Sequence, residues 1–195
     1  MSAAFSRFQA KRTAAVQAAP RVSRFAGIRS AEPKNPYLQP GSYVLRVLST
    51  AESAVPGKNP WFNIGVEVLA SDCAACPVGY KTTIGYCTSN KAGPTSFPRI
   101  KAFAVASAGF GSDEEYDAAE GGITVEELPK YPPGQHPNAG MWIENASAGA
   151  DVFNDTIVQC YVSRGNDLEG EGGAPTGDFF REYSWAVYQE GPAAQ

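Results

Sequence analysis

Apolar and polar residues alternate in five separate runs of this chain, and each run predicts a β-strand. In residues 42–49, Tyr43, Leu45 and Val47 share one face, and Val44, Arg46 and Leu48 share the other. The turn Pro56-Gly57-Lys58-Asn59-Pro60 leads into residues 61–69, where Phe62, Ile64, Val66 and Val68 alternate with Asn63, Gly65 and Glu67. These two runs read as an antiparallel pair joined by a long hairpin. Residues 80–86 put Tyr80, Thr82, Ile84 and Tyr86 on one face and Lys81 and Thr83 on the other, with Gly85 marking a bend. Residues 156–163 set Ile157, Gln159 and Tyr161 against Val158, Cys160 and Val162, and residues 183–188 gather Tyr183, Trp185 and Val187.

Between the third and fourth runs the period lengthens. Ile100, Phe103, Ala104 and Ala108 form a helical stripe over residues 97–110, with Pro98 in the first turn and Gly109 at the end. Ser112 and Glu115 have capping-box spacing ahead of a short second helix containing Tyr116. Glycines and prolines break residues 121–150, which read as a loop insertion. Within it Ile123 and Val125 fit a small strand, and Thr124 with Glu127 fits a capped turn instead. Residues 164–178 hold five glycines and four acids and predict a polar hairpin loop or insertion. The fold class is therefore mainly β. Five strands with a helix between the third and fourth suit a small barrel of the oligonucleotide/oligosaccharide-binding (OB) type, and a sandwich also fits.

Charge divides the chain. Residues 1–34 hold seven basic residues (Arg7, Lys11, Arg12, Arg21, Arg24, Arg29, Lys34) and one acid, a net +6. Residues 35–195 hold nine basic residues against nineteen acids, a net −10. A basic, Ala-rich arm on an acidic body suits contact with a polyanion or another acidic surface. Phe5, Phe8, Arg12 and Val16 fall near one helical face, so a weakly amphipathic helix and a flexible arm both remain open. The expected organisation is a flexible arm over residues 1–34 and a single β-rich domain over 35–190. The 195 residues, 43% of them apolar, suffice for one sizeable core. No run of eighteen apolar residues predicts a membrane span, and the start lacks the apolar stretch of a secretory signal. Its Arg-rich, acid-poor composition does match that of a transit peptide.

Several segments share an order with a known group. Pro40-Gly41-Ser42-Tyr43 approximates a P-x-G-x-Y strand entry, lacking the residue between proline and glycine. The aromatic and aliphatic strand 61–69 follows, then Gly79 before the third strand, a helix led by Arg99 and Lys101, and the aromatic strand 183–188. This order, over roughly residues 36–189, resembles phage-encoded single-stranded-DNA-binding proteins of the OB type. The resemblance implies a barrel that binds single-stranded nucleic acid in phage replication or recombination. It implies a host-cytoplasmic location and oligomers that meet replication proteins. The basic arm and the glycine-rich run are not part of that pattern.

The residues themselves offer a matching surface. Between Cys73 and Phe110 lie Lys81, Lys91, Arg99 and Lys101 and no acid, interleaved with Tyr80, Tyr86 and Phe97. Cations for phosphates and rings for bases are what a single strand requires. Trp61, Tyr86 and Phe97 are the candidate stacking rings, and Arg7, Lys11, Arg12, Arg21, Arg24 and Arg29 are candidate arm contacts. The acids Asp113, Glu114, Glu115, Asp117, Glu120, Glu126 and Glu127 follow directly. They can confine a strand to the basic side, receive the basic arm of a neighbouring copy, or form a solvated face.

Cys73 and Cys76 have metal or redox spacing, but no second pair completes a standard zinc pattern. A set of Cys73, Cys76, Cys87 and His136 has the right ligand number with unfamiliar spacing. No tightly held metal and no cofactor is expected, and if one is held, Cys73 and Cys76 are its first ligands. Nucleophile-elbow, phosphate-loop, dinucleotide and HExxH signatures are missing, so no enzyme class is indicated beyond an unidentified small one. The main alternative to strand binding is a virion or assembly protein whose arm reaches neighbouring subunits or capsid components.

Overall fold

The computed structural model of the protein describes residues 37–132, 135–169 and 175–189. The candidate arm residues Arg7, Lys11, Arg12, Arg21, Arg24 and Arg29 lie outside the described residues. Five strands form one antiparallel sheet: β1 Gly41–Ser53, β2 Trp61–Ser71, β3 Lys81–Cys87, β4 Ile157–Glu169 and β5 Pro175–Val187, in the order β3-β2-β1-β4-β5. Three helices, α1 Gly93–Ser107, α2 Asp113–Gly121 and α3 Met141–Ser147, and a 3₁₀ turn Val125–Lys130 fall between β3 and β4.

The alternation read along the strands sorts the side chains. Tyr43, Leu45, Val47, Phe62, Ile64, Val66, Val68, Ile84, Val158, Cys160 and Val162 all point into one core. Helix α1 packs its Ile100, Phe103 and Ala104 onto the same face. Phe103 is fully buried, with ring centroids 5.1 Å from Trp185, 5.5 Å from Phe153 and 6.5 Å from Phe62. Register irregularities in β1 at Val44/Leu45 and Val47/Ser49 help the central strand bend around these rings.

The sheet is not closed into a barrel; β3 and β5 remain its two edges. The physical reason lies in the side chains between them. Tyr86 of β3 accepts a hydrogen bond from Trp185 Nε1 of β5 at 3.0 Å, and the Tyr86 and Tyr183 rings meet edge-on at 6.3 Å. Paired strands stand about 4.8 Å apart. An end-to-end contact of two long side chains keeps the backbones much farther apart than that. The two edges are therefore joined by side chains rather than by a hydrogen-bonded ladder.

Two segments differ from their sequence reading. Residues 164–178 are mostly strand, because β4 runs to Glu169 and β5 starts at Pro175, with Arg164 opposite Arg181 and Asp167 opposite Phe179. Polar alternation of this kind suits a two-stranded ribbon that is wet on both faces. In residues 121–150 the Ile123/Val125 strand does not form. The alternative capped turn does, with Thr124 N donating to Glu127 Oε2 at 3.0 Å. The short α3 had no periodic signal. Other boundaries follow their local chemistry: Ser112 accepts from Glu115 N at 3.2 Å at the start of α2, and Gly109, at φ 81°, follows the end of α1. Arg181 of β5 is almost buried, donates to Leu38 O at 2.9 Å, and lies between the Tyr37 and Phe179 rings. It fixes the entry of the chain onto β5.

Phe103→Ala removes the ring that joins Phe62 of β2 to Trp185 of β5 and should cost about 3–5 kcal/mol of unfolding free energy. Tyr86→Phe leaves Trp185 Nε1 without its acceptor and should cost about 1–3 kcal/mol. Urea denaturation measures both; unchanged midpoints would contradict the joined-edge arrangement.

Candidate nucleic-acid interface

Trp61 opens β2 directly after the turn at residues 56–60, and strand parity sends it to the outer face with Asn63 and Glu67. Opposite Asn63 on β3 stands Gly85. A Cβ added at Gly85 would lie 3.2 Å from Trp61 Cε3, so the indole rests closely against the bare Gly85 backbone, and a side chain there would have to push it aside by a few tenths of an ångström. The ring is 44% exposed and presents a flat surface beside the sheet. Asn63 Nδ2 donates to Trp61 O at 3.0 Å and to Ser53 Oγ at 2.9 Å, which fixes the strand start.

The segment after β3 carries a second exposed ring. Cys87 pairs with Trp61, and Thr88 N donates to Pro60 O at 2.9 Å. The chain then turns into α1, where the Phe97 ring covers Gly93; a Cβ there would lie 2.7 Å from Phe97 Cε2. Phe97 is 54% exposed. Lys91 and Arg99 are exposed nearby in sequence, and neither forms an ion pair among the described residues. Lys81, at the far end of β3, belongs to a cross-strand row with Glu67 at 4.0 Å and Arg46 beyond it at 3.8 Å. Arg46 joins this outer-face row although the sequence reading did not single it out; its parity, opposite Leu45 and Val47, was the available signal.

The seven residues predicted for one groove thus occupy three surroundings. Trp61 and Lys81 lie on the outer face of β2 and β3. Lys91, Phe97 and Arg99 lie around the start of α1. Lys101 lines a groove along α1 with Phe97, and Tyr86 faces the core. Tyr86 is buried, its hydroxyl is taken by Trp185, and burial holds its pKa well above the ordinary tyrosine value. Its parity with Ile84 already placed it on the core face. Lys101 Nζ lies 2.7 Å from Asp117 Oδ2 and 3.8 Å from Asp113 Oδ2, so its charge is held by the acidic helix α2. The acids themselves are partly absorbed into local structure. Glu115 Oε2 accepts from Gly111 N at 2.9 Å, and Glu120 accepts from Gly140 N and Trp142 N at 2.7 Å each.

A second surface feature lies on the outer side of β1, β4 and β5. An open groove of about 520 Å³ there is lined by Val44, Asp72, Gln159, Tyr161 and Ser184, with Tyr161 55% exposed. No described helix is long and apolar enough to cross a membrane.

The cysteines are free thiols in different settings. Cys76 N donates to Cys73 O at 3.1 Å, closing a turn with one cysteine at each end. Burial raises the Cys73 thiol, but the Tyr43 hydroxyl and the N–H groups of Ala75 and Cys76 outweigh it and hold the thiol below its ordinary value. Cys160 lies in the core, where burial pushes its pKa up to about 12. His136 faces Asp117 instead of the thiols, so Cys73, Cys76, Cys87 and His136 do not assemble as one set.

In native protein, iodoacetamide should therefore modify Cys73 ahead of Cys76 and Cys160, because Cys73 is partly exposed and has the more accessible thiolate. Peptide mass mapping over time reads the order. Modification of Cys160 as fast as Cys73 would contradict the packing of β4.

No family model matches the chain, and no curated protein matches it either, so its functional reading rests on the site geometry.

Proposed function

We propose that the chain is a non-enzymatic protein that binds single-stranded DNA with little sequence preference. The observation that carries this reading is Trp61, an exposed indole laid over Gly85 on the outer face of β2 and β3. Stacking on such a ring tolerates any base; Lys58 in the turn before β2, and Lys91 and Arg99 after β3, supply positive charge for phosphates. The strand order supports the reading as well. A helix between β3 and β4, with β1 flanked by β2 and β4, is the order of an OB barrel whose β3–β5 seam is open. OB folds bind strands on the face of their second and third strands and with the adjoining loops. The resemblance to phage single-stranded-DNA-binding proteins points the same way, toward a role in replication or recombination.

One observation favours a second reading, that of an assembly or virion protein. The β4–β5 ribbon carries an exposed Phe180, 60% accessible, and among the described residues both sheet edges lack a further strand partner. An exposed ring on an otherwise polar ribbon, together with open edges, suits contacts between copies.

Fluorescence titration with labelled dT oligomers at two salt concentrations tests the first reading. Trp61→Ala should weaken binding by about 1–3 kcal/mol, the contribution of one stacked base. Reversing Lys91 and Arg99 to Glu should weaken binding and flatten its salt dependence. Tyr86→Leu should lower stability without removing a stacked base. Absence of binding by the full chain at low salt would overturn the proposal. Binding that vanishes with residues 1–34 and ignores Trp61→Ala would move the site to the arm.

A further inference from the structure

Helix α2 and the loop before α3 bring three ligand-type side chains together. Asp117 and Glu120 stand three residues apart on α2, and His136 enters from the loop. One ligand atom from each lies within 4.8 Å of the others. The three line a cavity of about 150 Å³ with Lys101 and Tyr116. Glu120 is 4% exposed, and the His136 side chain is 9% exposed.

The hydrogen bonds orient these groups in a particular way. His136 Nδ1 lies 3.0 Å from Pro137 O. A carbonyl can only accept, so Nδ1 carries the proton and the lone pair of the neutral ring sits on Nε2. Nε2 faces Asp117 Oδ1 at 3.9 Å, too far for a hydrogen bond. It is a suitable gap for one ion held by both, since zinc takes imidazole nitrogen at about 2.0–2.1 Å and carboxylate oxygen at about 2.0–2.2 Å. The other Asp117 oxygen is held by Lys101 at 2.7 Å. Each Glu120 oxygen accepts one backbone N–H and keeps a further lone pair. Outer bonds of this sort, from a carbonyl to the histidine and from donors to the carboxylates, are how metal ligands are commonly aimed.

A second observation points to a missing partner. Tyr116 is 1% exposed, and its hydroxyl, on the Glu120 side of the cavity, makes no hydrogen bond of good geometry among the described residues. A tyrosine hydroxyl can donate, and this one stands beside the cluster in the same cavity. Buried hydroxyls are normally satisfied. A water on an ion in the cavity would accept from it.

From this geometry we infer that Asp117, Glu120 and His136 form a binding site for a divalent transition metal, zinc foremost, with water in the open position. The imidazole ligand selects this class over magnesium and calcium, which prefer oxygen alone. Two carboxylates against the Lys101 ammonium leave one net negative charge for the ion to offset. The bound metal would join the loop at residues 135–140 to α2, a cross-link independent of the strand-binding face.

The test uses the untagged full chain after EDTA treatment, titrated with zinc chloride. His136 is the chain's single histidine, so one pair of imidazole ¹⁵N signals reads the site directly. Zinc should bind with one-to-one stoichiometry, shift the Nε2 signal, and leave Nδ1 protonated. The Cys73→Ser/Cys76→Ser variant should retain this uptake. Asp117→Asn should weaken it by about tenfold or more. A His136 spectrum unmoved at saturating zinc overturns the inference, as does uptake that disappears with the two cysteines.

Discussion

One ring ties β2 to the edge strand β5 across the inner face of this sheet. Phe103 projects from α1 into the concave face and touches Phe62 of β2, Trp185 of β5 and Phe153 ahead of β4. A five-stranded sheet laid flat would separate its outer strands by about 19 Å, four spacings of about 4.8 Å. The contact between Tyr86 and Trp185 requires curvature, and the bulges in β1 together with the bulk of α1 supply it. Because the inner face is filled by this aromatic cluster, any ring meant for a ligand has to sit on the outer face. Trp61 does so, and Tyr86 does not.

Much of this arrangement was legible in the sequence because strand parity is a strict period of two. The rows Tyr43–Leu45–Val47 and Phe62–Ile64–Val66–Val68 were read as single faces and are the core. The stripe of Ile100, Phe103 and Ala104 was read as helical, and Gly109 as its end. Barrel closure was not legible. It depends on whether β3 and β5 pair through backbone or through side chains, and no local pattern encodes that choice. The ribbon of β4 and β5 was missed for a related reason. Its side chains bury little, so glycines and acids there read as loop although the backbone pairs.

The candidate interface was legible in composition and only partly in geometry. Absence of acids between Cys73 and Phe110 correctly described the chain but not the space around it. Lys101 points toward carboxylates that come later in sequence, Asp113 and Asp117, and a linear scan separates what α1 and α2 bring together. The aromatic character of Tyr86 suggests a stacking ring, whereas its parity with Ile84 puts it on the core face, where it is buried. Gly85 carried a signal of another kind. It was read as a bend, and its role is to leave room for the Trp61 indole.

The central claim is that the inner rings hold the sheet while one outer ring meets nucleic acid. The chain has three tryptophans, and each occupies a different setting: Trp61 outside on β2, Trp142 on α3 against Phe110 and Tyr116, and Trp185 inside against Phe103. A two-dimensional ¹H–¹⁵N spectrum resolves one indole signal from each, and addition of a dT oligomer reads all three at once. The account predicts that the Trp61 signal shifts while those of Trp142 and Trp185 stay in place. A shift of Trp185 with Trp61 unmoved would contradict it.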